Sequence, residues 1–296
     1  MNALLSPPRE GSGHFARGIH PPGFKEATRL QRVQVLYDPE VLEIPLLQHI
    51  GATAVLQVKP NAIVDGGTLL ADAEGMISAP IHAGMAGKVG RASKTTLPNG
   101  RRVEAIKLTR TPDTPCRGHE LWSKLAAGLW DPAAALAFAP EEILDRIRTA
   151  GIVGMGGATF PTYVKLKPRA DKPIRRLLVN GCECEPYLTS DARLMEEAAG
   201  AVVTGALCAA RACGAYRIDI AVEDNKPEAI AALKLAAANT WVRIRTVETK
   251  YPMGGEKQMI RAVYDRTIPE GGLPLDVGVG VINVSTAAAI AMAVIH

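Results

Sequence analysis

Aromatic side chains are scarce in this chain of 296 residues, at 4% of the total, and the net charge is only +4. No basic run is interleaved with aromatics, which argues against dedicated nucleic-acid binding. No stretch of about eighteen uncharged apolar residues occurs, so the sequence predicts no transmembrane segment of its own. The N-terminus has no apolar core behind its charges, and no signal peptide is expected. There are five cysteines: Cys116, Cys182, Cys184, Cys208 and Cys213. The odd count without secreted-scaffold spacing reads as a reduced, cytoplasmic compartment. No strong pattern of further metal ligands lies near the C-x-C pair Cys182–Cys184, so packing is its plain reading. The histidines form no metal or catalytic pattern with a nucleophile, which excludes hydrolase readings. His20 belongs to an N-terminal arm, His49 and His82 to a β-rich stretch, and His296 ends the chain.

Three regions follow from what is present. Residues 1–38, rich in Gly, Pro and His, predict an extended arm. Residues 39–115 hold short apolar runs broken by Gly, Pro, Asn or Asp, with Asp65-Gly66 as a hairpin signal. They predict a small β-sandwich or barrel. It is similar to the barrel-sandwich hybrid of biotinyl and lipoyl carriers, where a Met-Lys pair on a hairpin carries the prosthetic group. The corresponding tip here, Ala73 to Pro80, has no lysine, so a structural role is expected. Residues 116–296 alternate helices and strands. Asp131 with Pro132 predicts the start of an alanine-rich helix, Pro140 begins another, and residues 192–214 predict a third, with Asn225 as a cap for a fourth. Strand-like runs lie at Arg175–Gly181, Tyr216–Asp224, near Trp241 and before Val284. The expected fold is α/β, a Rossmann-like mostly parallel sheet with ligands at the carboxyl ends of its strands. The basic stretch 166–176 reads as a solvated loop, or alternatively as an aid to a cofactor phosphate or dinucleotide.

Two motifs thirteen residues apart carry the chemistry. The glycine-rich run GIVGMGGATFPTYVKL spans Gly151 to Leu166, and backbone without Cβ atoms can approach a phosphate or flat ring closely. Lys165 adds a positive charge. The acidic turn VNGCECEPYLTSD follows a strand and presents Asn180, Glu183 and Glu185; the two glutamates, two residues apart, face one side of an extended segment. Together they describe a pocket for a phosphorylated, planar cofactor with acidic groups at its mouth.

These residues resemble the flavin subunit of respiratory complex I, and more closely the RnfC family of the Rnf electron-transport complex. ECEPYLTSDARLM, YPMGGEKQMI (Tyr251 to Ile260) and GIHPPGFKEAT (Gly18 to Thr28) carry the resemblance nearly end to end. It implies FMN contacts at Gly154, Gly156, Gly157, Lys165, Asn180, Glu183, Tyr251, Gly254, Gly255, Asn283 and Thr286. It implies NADH contacts at Phe160, Glu185 and Glu256. Cys182 stands where the complex I family has aspartate, Gly255 where it has a first glutamate, and Ile282 where it has an asparagine. No catalytic acid or base is implied, and no metal ligand. RnfC-type subunits usually continue into ubiquitin-like and ferredoxin-like domains, the latter with two 4Fe-4S clusters on C-x₂-C-x₂-C-x₃-C runs. This sequence has no such run, and its open final helix fits a truncation.

The resemblance implies an NADH-dependent oxidoreductase subunit that takes hydride onto FMN and passes electrons toward iron–sulfur carriers. Its partners would be other subunits of a membrane-bound ion-translocating complex. It would sit peripherally on the cytoplasmic face of a bacterial inner membrane. The alternatives are a cobalamin- or proline-reductase-associated flavoprotein, which shares the glycine loop and the ECEP turn, and a docking module without redox turnover.

Overall fold

The computed structural model describes residues 10–112 and 114–296. The chain forms two compact units. One comprises Gln34–Gly128 with Leu144–Lys165, and the other residues 10–33, Leu129–Ile143 and Leu166–His296.

The first unit is built on short antiparallel strands. In chain order they are β1 (Val41–Pro45), β2 (Val55–Leu56), β3 (Ile63–Val64), β4 (Leu69–Asp72), β5 (Ile81–His82), β6 (Gly87–Thr96) and β7 (Arg102–Arg110). They form a four-stranded sheet, β1-β7-β6-β3, and a three-stranded sheet, β2-β4-β5. Alternating side chains such as Ile44, Leu70, Met85, Val89, Ile106 and Leu108 meet in one core. The expected barrel-sandwich hybrid is borne out. The expected hairpin at Asp65-Gly66 is not. A turn forms there, Thr68 N donating to Asp65 O at 3.1 Å, but β3 pairs with β6 and β4 with β2 and β5. The dipeptide therefore makes a corner between two sheets. Arg117, at the start of α1 (Arg117–Ala127), fills the space beside it and donates to the Gly66 carbonyl.

The lysine-free tip is tied down inside this unit. Tyr163 Oη donates to Met76 O at 2.9 Å. Gly151, at φ +68°, lies so close to Pro80 that a Cβ would come within 2.4 Å of its carbonyl oxygen. The same unit carries the glycine loop, described below, which leads into α3 (Thr162–Leu166). The helix α2 (Pro140–Thr149) is divided between the two units.

The second unit is α/β, as expected. Its sheet is parallel, in the order β10-β9-β8-β11. The strands are β8 (Arg176–Asn180), β9 (Arg217–Glu223), β10 (Val242–Val247) and β11 (Val279–Asn283). β9 and β11 are buried along their whole length, because helices cover both faces. The helices are α4 (Ser190–Glu197), α5 (Ala199–Cys213), α6 (Pro227–Ala236), α7 (Glu256–Tyr264) and α8 (Val284–Ile295). Leu178, Ala221, Val247 and Val281 pack with Met259, Ile260 and Val263 of α7 and with Phe15 of the arm. α5 and α8 contact the sheet and each other. α5 is buried nearly all round, which explains its alanine-rich sequence without a polar face.

Several local expectations need correction. The residues after Asp131 form a 3₁₀ helix of six residues, Pro132–Ala137, although Asp131 caps it as expected, accepting from Ala133 N at 2.9 Å. Residues 192–214 are two helices. The break is Ala198, whose φ −136° and ψ 35° leave helical space. Asn225 does not cap α6. Lys226 occupies the cap position without a side-chain capping bond, and Asn225 Oδ1 instead accepts from Lys226 Nζ at 2.9 Å. The basic stretch is largely solvated, with Arg169 paired to Asp171 and Lys172 to Asp276. Among the described residues no helix is long and apolar enough to cross a membrane.

Candidate functional site

In the α/β unit the carboxyl ends of β8, β9 and β11 come together. Asn180 ends β8. Its Nδ2 donates to Gly254 O and its Oδ1 accepts from Cys182 N, both at 2.9 Å. One side chain thus ties the acidic turn to the loop after β10. Asn283 ends β11 and caps α8, accepting from Ser285 N at 2.8 Å. Its Nδ2 donates to Asp191 Oδ2 at 2.6 Å and to Asn180 O at 3.3 Å. Ser285 Oγ also donates to Asp191, at 2.8 Å. Thr286 is buried in the first turn of α8.

Glu183 is the buried member of the acidic pair, 3% exposed. Its Oε1 accepts from Asp191 N at 2.7 Å, while Oε2 is buried without a hydrogen-bond partner. Burial pushes both the Glu183 and Asp191 carboxyls up from their ordinary values. Glu185 is exposed, its Oε2 lying 3.7 Å from Cys184 Sγ. Cys182 is buried against Ala221 O, and burial pushes its thiol well up. Among the described residues no His, Cys, Asp and Glu cluster suited to a metal occurs; of the C-x-C pair, Cys182 is buried and Cys184 is partly exposed.

The loop after β10 is anchored by the arm. Ile19 and Tyr251 exchange backbone hydrogen bonds of 3.0 and 2.8 Å. The Tyr251-Pro252 bond is cis. Gly254 sits against Cys182 O, Gly255 caps α7 and half-buried Glu256 begins it.

Four contributors escaped the sequence reading of the site. Asp191, Glu223 and Lys226 join the polar cluster, and Lys25 of the arm holds the acidic turn. Lys25 Nζ donates to Glu183 O at 2.9 Å, to Glu185 O at 3.0 Å and to Leu188 O. Phe24 stacks on Tyr187 beside it, ring centroids 5.3 Å apart. Lys25 lies within the segment GFKEAT; only its three carbonyl partners, supplied by folding, define its role.

Lys25→Met would keep the stem and delete these three charge-assisted bonds. It is expected to cost about 2 kcal/mol. Hydrogen exchange of the amides of residues 183–191 should accelerate while those of β9 stay protected. Unchanged exchange in the turn would remove Lys25 from this role.

The glycine loop belongs to the other unit. Gly154 N donates to Phe160 O at 2.9 Å and Thr162 N to Ile152 O at 3.0 Å. These bonds, with the Val153–Pro161 bridge, pinch off an exposed tip that contains Gly156 and Gly157. A Cβ on Gly157 would meet nothing within 4 Å, and one on Gly154 only ordinary contacts. The unit's own packing therefore does not demand glycine at either position, which suits a backbone kept bare for a ligand. Lys165 follows in the last turn of α3.

Residues 13–113 match the RnfC barrel sandwich hybrid domain, and residues 147–292 match the Nuo51 FMN-binding domain. Three relatives are RnfC proteins of ion-translocating complexes. The chain is 40% identical over 279 residues to that of the ion-translocating oxidoreductase complex of Rhodobacter capsulatus, covering 94% of this chain and 52% of that protein. It is 38% identical over 280 residues to that of the proton-translocating ferredoxin:NAD(+) oxidoreductase complex of Clostridium ljungdahlii, covering 95% and 59%. It is 38% identical over 288 residues to the Na(+)-translocating counterpart of Acetobacterium woodii, covering 96% and 62%. The chain thus spans between about half and three fifths of the length of these relatives.

Proposed function

The chain belongs to the RnfC family, and from that membership we propose that it is the electron-entry part of an ion-translocating oxidoreductase complex. It takes hydride from NADH onto FMN and passes electrons toward iron–sulfur carriers. Its partners are the other subunits of the complex, which hold it at the cytoplasmic face of the membrane.

The observation that carries this reading is the state of Glu183. A turn held by Lys25, Asn180 and Glu223 keeps a carboxylate buried with one oxygen unpartnered. A buried polar atom in that state calls for a donor from a ligand. The bare backbone at Gly154 and Gly157 is a second, separate sign of fit to a flat, phosphorylated group.

When bound, FMN would supply the hydride acceptor and release the electron pair one electron at a time. The protein's own residues bind and orient. Lys165 offers an ammonium to the phosphate, and Gly154, Gly156 and Gly157 offer backbone. Asn180, Glu183, Tyr251, Gly254, Gly255, Asn283 and Thr286 serve the flavin; Phe160, Glu185 and Glu256 serve NADH. Direct hydride transfer asks no side chain for a proton.

The test is to purify the chain with added FMN, remove free flavin, and record its absorption anaerobically before and after NADH. Retained flavin that bleaches is the expected result. Absence of bound flavin would overturn the reading in favour of a docking role.

A further inference from the structure

β8 and β9 are adjacent and parallel, with Asn180 opposite Ala221. Glu183 lies three residues beyond the first of these and Glu223 two beyond the second, so both stand at neighbouring strand ends. Glu223 is wholly buried. Its Oε2 accepts from Lys226 Nζ at 2.5 Å and from Glu183 N at 3.1 Å, while its Oε1 has no hydrogen-bond partner. Glu183 repeats the pattern, with Oε1 satisfied and Oε2 not. Two carboxylates, each holding one oxygen in its own scaffold and one oxygen bare, are joined by a single N–H. A bare buried acceptor costs about 1 to 3 kcal/mol, more when charged.

Chemistry narrows what completes them. Lys226 is bound to Glu223 and Asn225, and the Lys25 ammonium already holds the same turn through its carbonyls. A further cation is therefore not required, and the described residues hold no group fit for a metal. The need is for neutral hydrogen-bond donors, one for each bare oxygen. A chain of hydroxyls answers it.

We propose that Glu223, paired with Glu183, binds the hydroxyl chain of the flavin. Nothing in the family resemblance assigns Glu223, and the proposal rests on the flavin reading above. Glu223→Gln tests it with little change of shape. Its carbonyl oxygen can keep the bonds from Lys226 and the Glu183 amide, while an uncharged donor replaces the bare acceptor.

Dissociation constants would be measured by flavin fluorescence quenching for FMN, for riboflavin, which keeps the hydroxyl chain without phosphate, and for lumiflavin, which lacks both. The expected result is that Glu223→Gln weakens FMN and riboflavin at least fivefold and lumiflavin less than twofold. Equal weakening of all three would overturn the proposal and make Glu223 a scaffold of the turn alone. Unchanged affinities would overturn it outright. Glu183→Gln, with the same selective loss expected, carries the test should Glu223→Gln melt before it can be assayed. A wild-type chain that binds none of the three would instead bring down the flavin reading, and this proposal with it.

Discussion

Gly205→Ala is expected to lower the melting temperature by roughly 6 to 12 °C, the equivalent of about 3 kcal/mol in a domain of this size. Gly205 lies in α5 where α8 crosses it. A Cβ there would fall 1.7 Å from Ala287 O and 2.5 Å from its carbonyl carbon. Both are backbone atoms, so no side chain can swing aside and the helices must separate. Separation would also shift the start of α8, where Asn283 and Ser285 hold Asp191. Flavin affinity should therefore fall along with stability. Gly157→Ala is the control. A Cβ there has open space, and thermal stability should stay put. A wild-type melt for Gly205→Ala would mean that the two helices are not in backbone contact.

Asp219→Ala should be costlier, about 3 to 5 kcal/mol, because it strands buried charge. Asp219 is fully buried within β9. It accepts from Arg217 Nε at 2.7 Å, Arg217 Nη2 at 3.3 Å and Tyr264 Oη at 2.9 Å. The guanidiniums of Arg217 and Arg176 lie 5.2 and 5.6 Å from the Tyr264 ring centroid. Removing the carboxylate leaves Arg217, among the described residues, with the Tyr264 ring and with Glu10, 3.5 Å away and half exposed. Arg176 and Arg217 begin β8 and β9, at the ends remote from Asn180 and Glu223. The two effects should therefore separate: urea unfolding shifts strongly, while flavin affinity of the folded protein stays within about twofold. Asp219→Asn, which keeps an acceptor, should lose less. Equal losses for the two variants would show that charge is not what the network supplies.

The order of strands and helices was legible because each has a period and a boundary signal. Arg175–Gly181 reads as a buried strand from composition alone, and the polar residues after it mark a carboxyl end. What stayed hidden depends on partners far away in sequence. Asp65-Gly66 makes a turn, but no local signal says that its two strands join different sheets. Asn225 is a sound cap by type, yet Lys226 Nζ claims its oxygen once Glu223 is buried nearby. Lys25 is an ordinary lysine until three carbonyls of a turn some 160 positions later converge on it. Glu223 ends an apolar strand, as solvated acids often do. Its burial follows from the arrival of the Glu183 amide, which no spacing reveals.

The arm has a consequence for the time course of folding. Gly11, Phe15, Ile19 and His20 bond to Val263, Lys250, Tyr251 and Thr249, and the Phe15–Lys250 contact spans 235 positions. At a synthesis rate of about 5 to 20 residues per second, the segment made first waits roughly 10 to 50 s for its partners to be made. Strands β1 to β7 need no such wait, since their partners lie within one contiguous stretch. During that interval Phe15, buried in the folded chain, has nowhere to bury. The arm thus stays exposed to chaperones and proteases in the nascent chain, and release from that exposure comes only with the segment that follows β10.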